Sequence, residues 1–143
     1  MSQDSFSLKQ RIHNGKKELW DAYRNKWIVV TPEEEVRQLI AFYLNKHLGY
    51  PKSWISIEKG IKHGNKVFRF DIVLYDSNSQ PLVLVECKAP SIPINQKVFD
   101  QIFKYNTLLK VPYLLVSNGI DFYAVDATKE VPEYVSSLPP YKS

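Results

Sequence analysis

Asp71, Glu86 and Lys88 each place charge inside an otherwise apolar, strand-like stretch, which a buried sheet resists. They lie in RFDIVLYDSNSQPLVLVECKAP, Arg69 to Pro90, which reads as two strands joined by the polar turn DSNSQP. Side chains alternate along a strand, so Leu82, Leu84, Glu86 and Lys88 share one face and Val83, Val85 and Cys87 the other. A hairpin through Asp76 to Gln80 brings Asp71 beside the Glu86 end. Two carboxylates converging beside an ammonium are costly unless something cationic sits between them. A hard divalent cation with oxygen ligands and retained waters meets that need, and Mg²⁺ suits one or two carboxylates plus a substrate phosphate. Lys88 then holds or deprotonates the attacking water, or neutralises charge developing on the phosphate. The plain alternative is a solvated strand edge.

The elements that must position these residues follow from pattern. In TPEEEVRQLIAFYLNKHLGYP, Thr31 is the N-cap, Pro32 the first helical residue and Glu34 the third residue after the cap, with Gly49 and Pro51 as the stop. Val36, Leu39, Ile40, Tyr43 and Leu44 form the apolar stripe of an amphipathic helix. SWISIEKG and KVFRFDIVLYD read as strands, and PLVLVECKAP as the returning strand, ended by Pro90 and Pro93. From Ile94 to Lys110, Val98, Ile102, Tyr105 and Leu109 recur at helical spacing. VPYLLVSNGIDFYAVDA then reads as strand, Asn118-Gly119 turn, strand. The basic opening SLKQRIHNGKKELWDAYRNKW suggests a short helix or arm followed by an accessory hairpin, with Trp20, Trp27, Ile28, Val29 and Val30 to pack. The tail after Ala127, with Pro132, Pro139 and Pro140, is expected to be an irregular strap or partly disordered. The order, an accessory hairpin and then helix, three strands, helix, two strands, is that of a mixed α/β sandwich.

With 143 residues, 44% of them hydrophobic and 13% aromatic, the chain holds enough apolar surface for one core, so a single domain is expected: arm or hairpin over 1–30, core over 31–126, tail over 127–143. No apolar run approaches the ~20 residues of a membrane span, and MSQDSFSLKQ lacks the apolar segment of a secretory signal, so a cytoplasmic protein is expected. The single Cys87 excludes an intrachain disulfide and a cysteine-based zinc cluster. A net charge of +4 is compatible with a polyanionic partner without requiring one. His13, His47 and His63 have no partner at ligand spacing and read as surface residues. Glu58, Asp76, Asp121 and Asp126 are further acids to which the sequence assigns no role.

An Asp on one strand, Glu-x-Lys on the next, a Glu on the preceding helix and Gln-x-x-x-Tyr on the following helix resemble the PD-(D/E)xK nuclease superfamily. Within it the chain is most similar to the N-terminal nuclease domain of type I restriction enzyme R subunits and its stand-alone bacterial relatives. TPEEEVRQ, YPKSWISIEKGI, RFDIVLYD, ECKAP, QIFKYN and SNG carry the likeness, in that order, over about Asp21 to Asp126. It implies a restriction-endonuclease-like α/β core, αβββαβ, whose central mixed sheet is flanked by helices. It also implies Asp71 and Glu86 as metal-binding carboxylates, Lys88 as the catalytic lysine, and Mg²⁺, or Mn²⁺ in its place, as cofactor. The proline that the family has before its aspartate is replaced here by Phe70.

The helix glutamate is chosen by geometry. With the stripe from Val36 to Tyr43 on the sheet, Glu33 lies one turn before Val36 near that face, Glu35 on its flank, and Glu34 points away. Glu34 then reads as the capping-box partner of Thr31, and Glu33 as the third acid at the metal. Gln101 and Tyr105 match the Gln-x-x-x-Tyr element near metal and DNA. Lys97, Gln101 and Lys104 recur along one helix edge that is either a phosphate-binding face or merely a solvated one. Cys87 is expected to be a small buried apolar residue facing away from the site.

The expected activity is metal-dependent hydrolysis of DNA phosphodiester bonds in restriction, defence or DNA processing, with Asp71, Glu86, Lys88, Glu33 and Gln101 in the site. The alternatives are a non-catalytic nucleic-acid-binding or assembly module on the same fold, and an RNA-cleaving enzyme. Motor and specificity functions do not fit in such a core, so translocation or sequence choice would call for another chain or a homodimer.

Overall fold

A computed structural model describes residues 8–142 and organises them as two sheets and two principal helices. The N-terminal segment departs from expectation, for it is a three-stranded antiparallel meander of β1 (Gln10–His13), β2 (Lys16–Asp21) and β3 (Lys26–Val29) rather than a helix or arm with a single hairpin. Residues 1–7 of the expected arm lie outside the described residues. Asn14-Gly15 explains the difference. His13 pairs with Lys16, and both turn residues have positive φ, 51° and 74°, the two-residue turn that suits Asn-Gly. Asn118-Gly119, by contrast, belongs to the four-residue loop between Ser117 and Phe122.

The helix α1 (Pro32–Phe42) begins where the sequence places it, with Thr31 Oγ1 accepting the Glu34 N–H at 3.0 Å and proline in the first turn. A π-helical turn, Tyr43–His47, continues it. The main sheet follows: β4 (Ile55–His63), β5 (Lys66–Tyr75), β6 (Pro81–Cys87), helix α2 (Gln96–Leu109), β7 (Tyr113–Ser117), β8 (Phe122–Asp126) and β9 (Glu133–Val135). Its order is β4-β5-β6-β7-β8-β9, antiparallel except for the β6–β7 pair. The α2 crossover is what allows that parallel pair. Asn95 caps α2, and Lys110 closes it in the left-handed conformation.

Each face of the sheet is covered by one helix. Val36, Ile40 and Leu44 pack on Ile55, Ile72, Val83, Val85 and Cys87, while Phe99 and Ile102 of α2 pack on Val73, Leu84, Leu114 and Val116. The central strands are therefore buried on both faces, which is why their sequences are nearly continuous apolar runs. The tail is better ordered than its prolines suggest. It supplies β9, buries Leu138, and seats Tyr141 against Tyr50 and Trp54, with Tyr50 Oη donating to the Pro139 carbonyl. Apolar anchors at Val135, Leu138 and Tyr141, three residues apart, hold it down. No helix among the described residues is long and apolar enough to cross a membrane.

Candidate active site

The strand β5 changes face at Asp71. Phe68 and Phe70 pack with the α2-side cluster, whereas Ile72 and Leu74 pack with the α1-side cluster. Strict alternation would forbid this, and the cause lies in the neighbouring strand. Glu58, opposite Asp71, has φ 53°, and the β4–β5 ladder runs unbroken on both sides of that pair but skips it. A left-handed glutamate inside a strand is strained, and such strain gathers at functional sites.

On its other edge β5 pairs with β6 only as far as Ile72 with Val85. The same register would next set Asp71 opposite Glu86. The strands part there instead, and Asp71 Oδ2 accepts the Cys87 N–H at 2.7 Å. The opening is a cleft of about 240 Å³ lined by Glu33, Arg37, Glu58, Arg69, Phe70, Asp71, Glu86, Cys87 and Lys88. The structure thus brings Asp71, Glu86, Lys88 and Glu33 to one place. Lys88 leaves β6 with its backbone fixed by donation to the Ser117 carbonyl, 2.9 Å.

The electrostatics are those of a site short of positive charge. Four carboxylates line the cleft against three cationic side chains. Glu86 is pushed up to about 8, first by burial, then by the charge of Asp71, with the Lys88 ammonium only partly opposing. Arg37 Nε donates to Asp71 Oδ1 at 2.9 Å, and its other nitrogens reach Glu33 at 3.3 Å and Glu34. Burial works against the Arg37 charge, but the hydrogen bond and charge of Asp71, with Glu34 and Glu58, raise its pKa above the ordinary value. Burial, then the charge of Asp71, pushes the Cys87 thiol up, so it is inert. Cys87 is buried as expected, yet it forms part of the cleft floor and gives Asp71 its N–H.

Glu34 requires a correction. It does not point away but is buried, accepting from Arg24 at 2.7 Å, from Gln38 at 3.3 Å and from Arg37. Two arginines facing the helix start draw the carboxylate inward, and only the Glu34 backbone serves the cap. Glu35 is exposed. Two residues escaped the sequence reading, Arg24, which joins Asp21, Glu34 and Glu58, and Arg37; Glu58, named there without a role, lines the cleft and lies 3.7 Å from Arg37. The available signal for Arg37 was its spacing of three and four residues from Glu34 and Glu33.

Gln101 stands apart. Its amide donates to Tyr105 Oη at 2.9 Å, neither side chain lines the cleft, and Tyr105 packs on Phe68 and Phe70. Their link to the site runs through Phe70. Lys97, Gln101 and Lys104 are all exposed on α2, as are His13, His47 and His63 elsewhere.

The donor set fits a hard divalent cation. Among the described residues no three carboxylate, imidazole or thiol groups converge closely enough to hold an ion by themselves. Two carboxylates, Asp71 and a Glu86 whose pKa is raised first by burial and then by the charge of Asp71, would bind an ion that keeps several waters, the habit of Mg²⁺.

A mixed sheet with a helix on each face, opening between two strands that carry Asp and Glu-x-Lys, defines a restriction-endonuclease-like fold. The family described as type I restriction enzyme R protein N terminus (HSDR_N) matches residues 32–139, and the chain belongs to it. That span includes most of the tail and excludes the β1–β3 sheet. Among solved structures, the chain is similar to a fragment of a candidate HsdR subunit of a type I restriction enzyme from Vibrio vulnificus YJ016. The TM-score is 0.55 at 21% identity, over 78% of this chain and 24% of that one. It is also similar to a candidate nuclease of the DUF820 family from Anabaena variabilis ATCC 29413, at TM-score 0.51 and 12% identity, over 90% of this chain and 76% of that one. No curated protein matches the chain in sequence.

Proposed function

We propose that this domain hydrolyses DNA phosphodiester bonds in the cleft between β5 and β6, in a reaction that depends on Mg²⁺, with Mn²⁺ as a substitute. The observation that carries the reading is the convergence of Asp71, Glu86 and Lys88 where the two strands part. Asp71 and Glu86 would hold the cation, with Glu33 approaching from α1. When bound, a divalent cation supplies positive charge to the phosphoryl oxygens and makes water acidic enough to attack at neutral pH.

The protein's own groups do the rest. The Cys87 N–H and Arg37 hold the Asp71 carboxylate in place. Glu86 would hold the cation as a carboxylate, its proton released to solvent. Lys88 orients the attacking water, or neutralises charge developing on the phosphate. Gln101 and Tyr105 support the site through Phe70, and Lys97 and Lys104 extend a basic face along α2.

The relation to R protein N-termini supports a role in restriction or a related DNA process, with a motor or specificity chain, or a second copy, supplying movement and site choice. Thermal melting with added Mn²⁺, beside nicking of plasmid DNA, tests the reading. A rise in melting temperature together with Mg²⁺-dependent nicking is expected; a non-catalytic module on the same fold would show neither.

A further inference from the structure

We infer that the end of the β4–β5 hairpin is an arm that lies in a groove of duplex DNA and contacts phosphates on both sides. The inference rests on the reading of the cleft as a DNA site and identifies how the duplex is held there. Beyond the Ile72–Val85 pair, β4 and β5 run on from Lys59–Phe70 to His63–Lys66, paired only with each other. Five residue pairs make a ribbon ~16 Å long. Between Glu58 and Asp71 the chain has no acidic residue, and it carries Lys59, Lys62, Lys66 and Arg69, with His63 near the tip. All five are exposed, and among the described residues none enters an ion pair.

Register sorts the charges onto both faces. Gly60 with Arg69 and Lys62 with Val67 occupy one face; Lys59 with Phe70, Ile61 with Phe68 and His63 with Lys66 occupy the other. Arg69 is on the side of the cleft and lines it. Gly60 makes room for this, since a Cβ there would come within 2.8 Å of Val67 Cγ1 and 3.7 Å of Arg69 Nη1. A ribbon cationic on both faces suits a position flanked by phosphates, and a two-stranded ribbon is an element the major groove admits. A single strand is the poorer fit, because it calls for exposed rings on which bases stack. The ribbon's aromatic residues, Phe68 and Phe70, turn inward onto Tyr105. The ribbon also begins at the strained Glu58–Asp71 position, so whatever it grips is carried to the cleft.

Binding of metal-free full chain to a labelled 20-base-pair duplex, measured across salt concentrations, tests the arm. Three proteins are compared: wild type, K62Q/K66Q in the ribbon, and K46Q/K110Q as a control of equal charge. Each lost phosphate contact lowers the slope of log affinity against log salt by about 0.9. The ribbon variant should lose close to two such steps and roughly tenfold or more in affinity at low salt, while the control stays near wild type. All three should melt alike and respond alike to Mn²⁺. An unchanged slope in K62Q/K66Q, or an equal fall in the control, overturns the arm. Equal or tighter ribbon-dependent binding to a single strand of the same sequence overturns the groove assignment. Nicking by the same wild-type protein is read separately: its absence overturns the catalytic reading whatever the slopes show.

Discussion

Arg37 Nε donates to Asp71 Oδ1 across 2.9 Å, so the acid proposed to hold a cation is already matched by the protein's own positive charge. The pair joins α1 to β5 at the point where β5 changes face. It gives Asp71 a cationic partner in a cleft rich in carboxylates, and it sets Arg37 in competition with any incoming ion. Arg37→Ala should destabilise the metal-free protein by about 3 kcal/mol, since partly buried acids lose their partner. Mn²⁺ should then raise the melting temperature by more than it does in wild type. A smaller Mn²⁺ response in the variant would mean that Arg37 helps to bind the ion's surroundings and does not compete with it.

A second expectation concerns pH. Glu86 is pushed up to about 8 in the fold, against an unfolded value near 4.5. The folded state therefore binds the extra proton across that window, and stability falls as pH rises from 4.5 through 8. The loss should be on the order of a few kcal/mol. Glu86→Gln removes the titrating group, so its metal-free stability should be flatter over the same range and exceed that of wild type above pH 8. Denaturant unfolding at several pH values checks this, and parallel curves for the two proteins would refute it.

Arg24 belongs to the β2–β3 loop, yet it neutralises Glu34 of α1 and Glu58 of β4 as well as the fully buried Asp21. Arg24→Ala should cost about 3 kcal/mol because the buried Asp21 is left without a counter-charge, while Glu34 keeps only Arg37. Thr31→Ala, which removes only the α1 cap, should cost about 1 kcal/mol. Comparable losses in the two variants, measured by chemical denaturation, would show that Arg24 is replaceable.

Lys88 and the acids are distinguished by what their removal does to the ion. In Lys88→Ala both carboxylates remain and a nearby positive charge is gone, so Mn²⁺ should bind at least as tightly. Nicking should nevertheless fall by orders of magnitude, since groups that act only on the transition state change rate and not binding. Weaker Mn²⁺ binding in this variant would give the lysine an organising role instead.

Much of this arrangement was legible in the residues. Thr31, Pro32 and the Val36–Leu44 stripe fixed α1, and Asp71 with Glu-x-Lys marked the pair of strands that part. The fate of Glu34 was not legible, because helical geometry gives a direction but not the two arginines waiting there, one of them ten residues upstream in another element. Nor was the switch of face at Asp71, which depends on a left-handed glutamate in the neighbouring strand. The N-terminal meander was misread because Asn14-Gly15 sits among polar residues, where a turn signal lacks apolar strands to frame it. The tail is mostly the irregular strap its prolines suggest, but β9 and the anchors at Val135, Leu138 and Tyr141 were not legible, because their partners lie far back in the sequence.

Calorimetric titration of Mn²⁺ into wild type and Asp71→Asn, with plasmid nicking followed for the same proteins, bears most directly on the site between β5 and β6. Wild type should bind the ion and nick DNA only in its presence, and Asp71→Asn should lose binding and nicking together. An Asp71→Asn protein that binds Mn²⁺ as wild type does and still nicks DNA would place the chemistry elsewhere in the molecule.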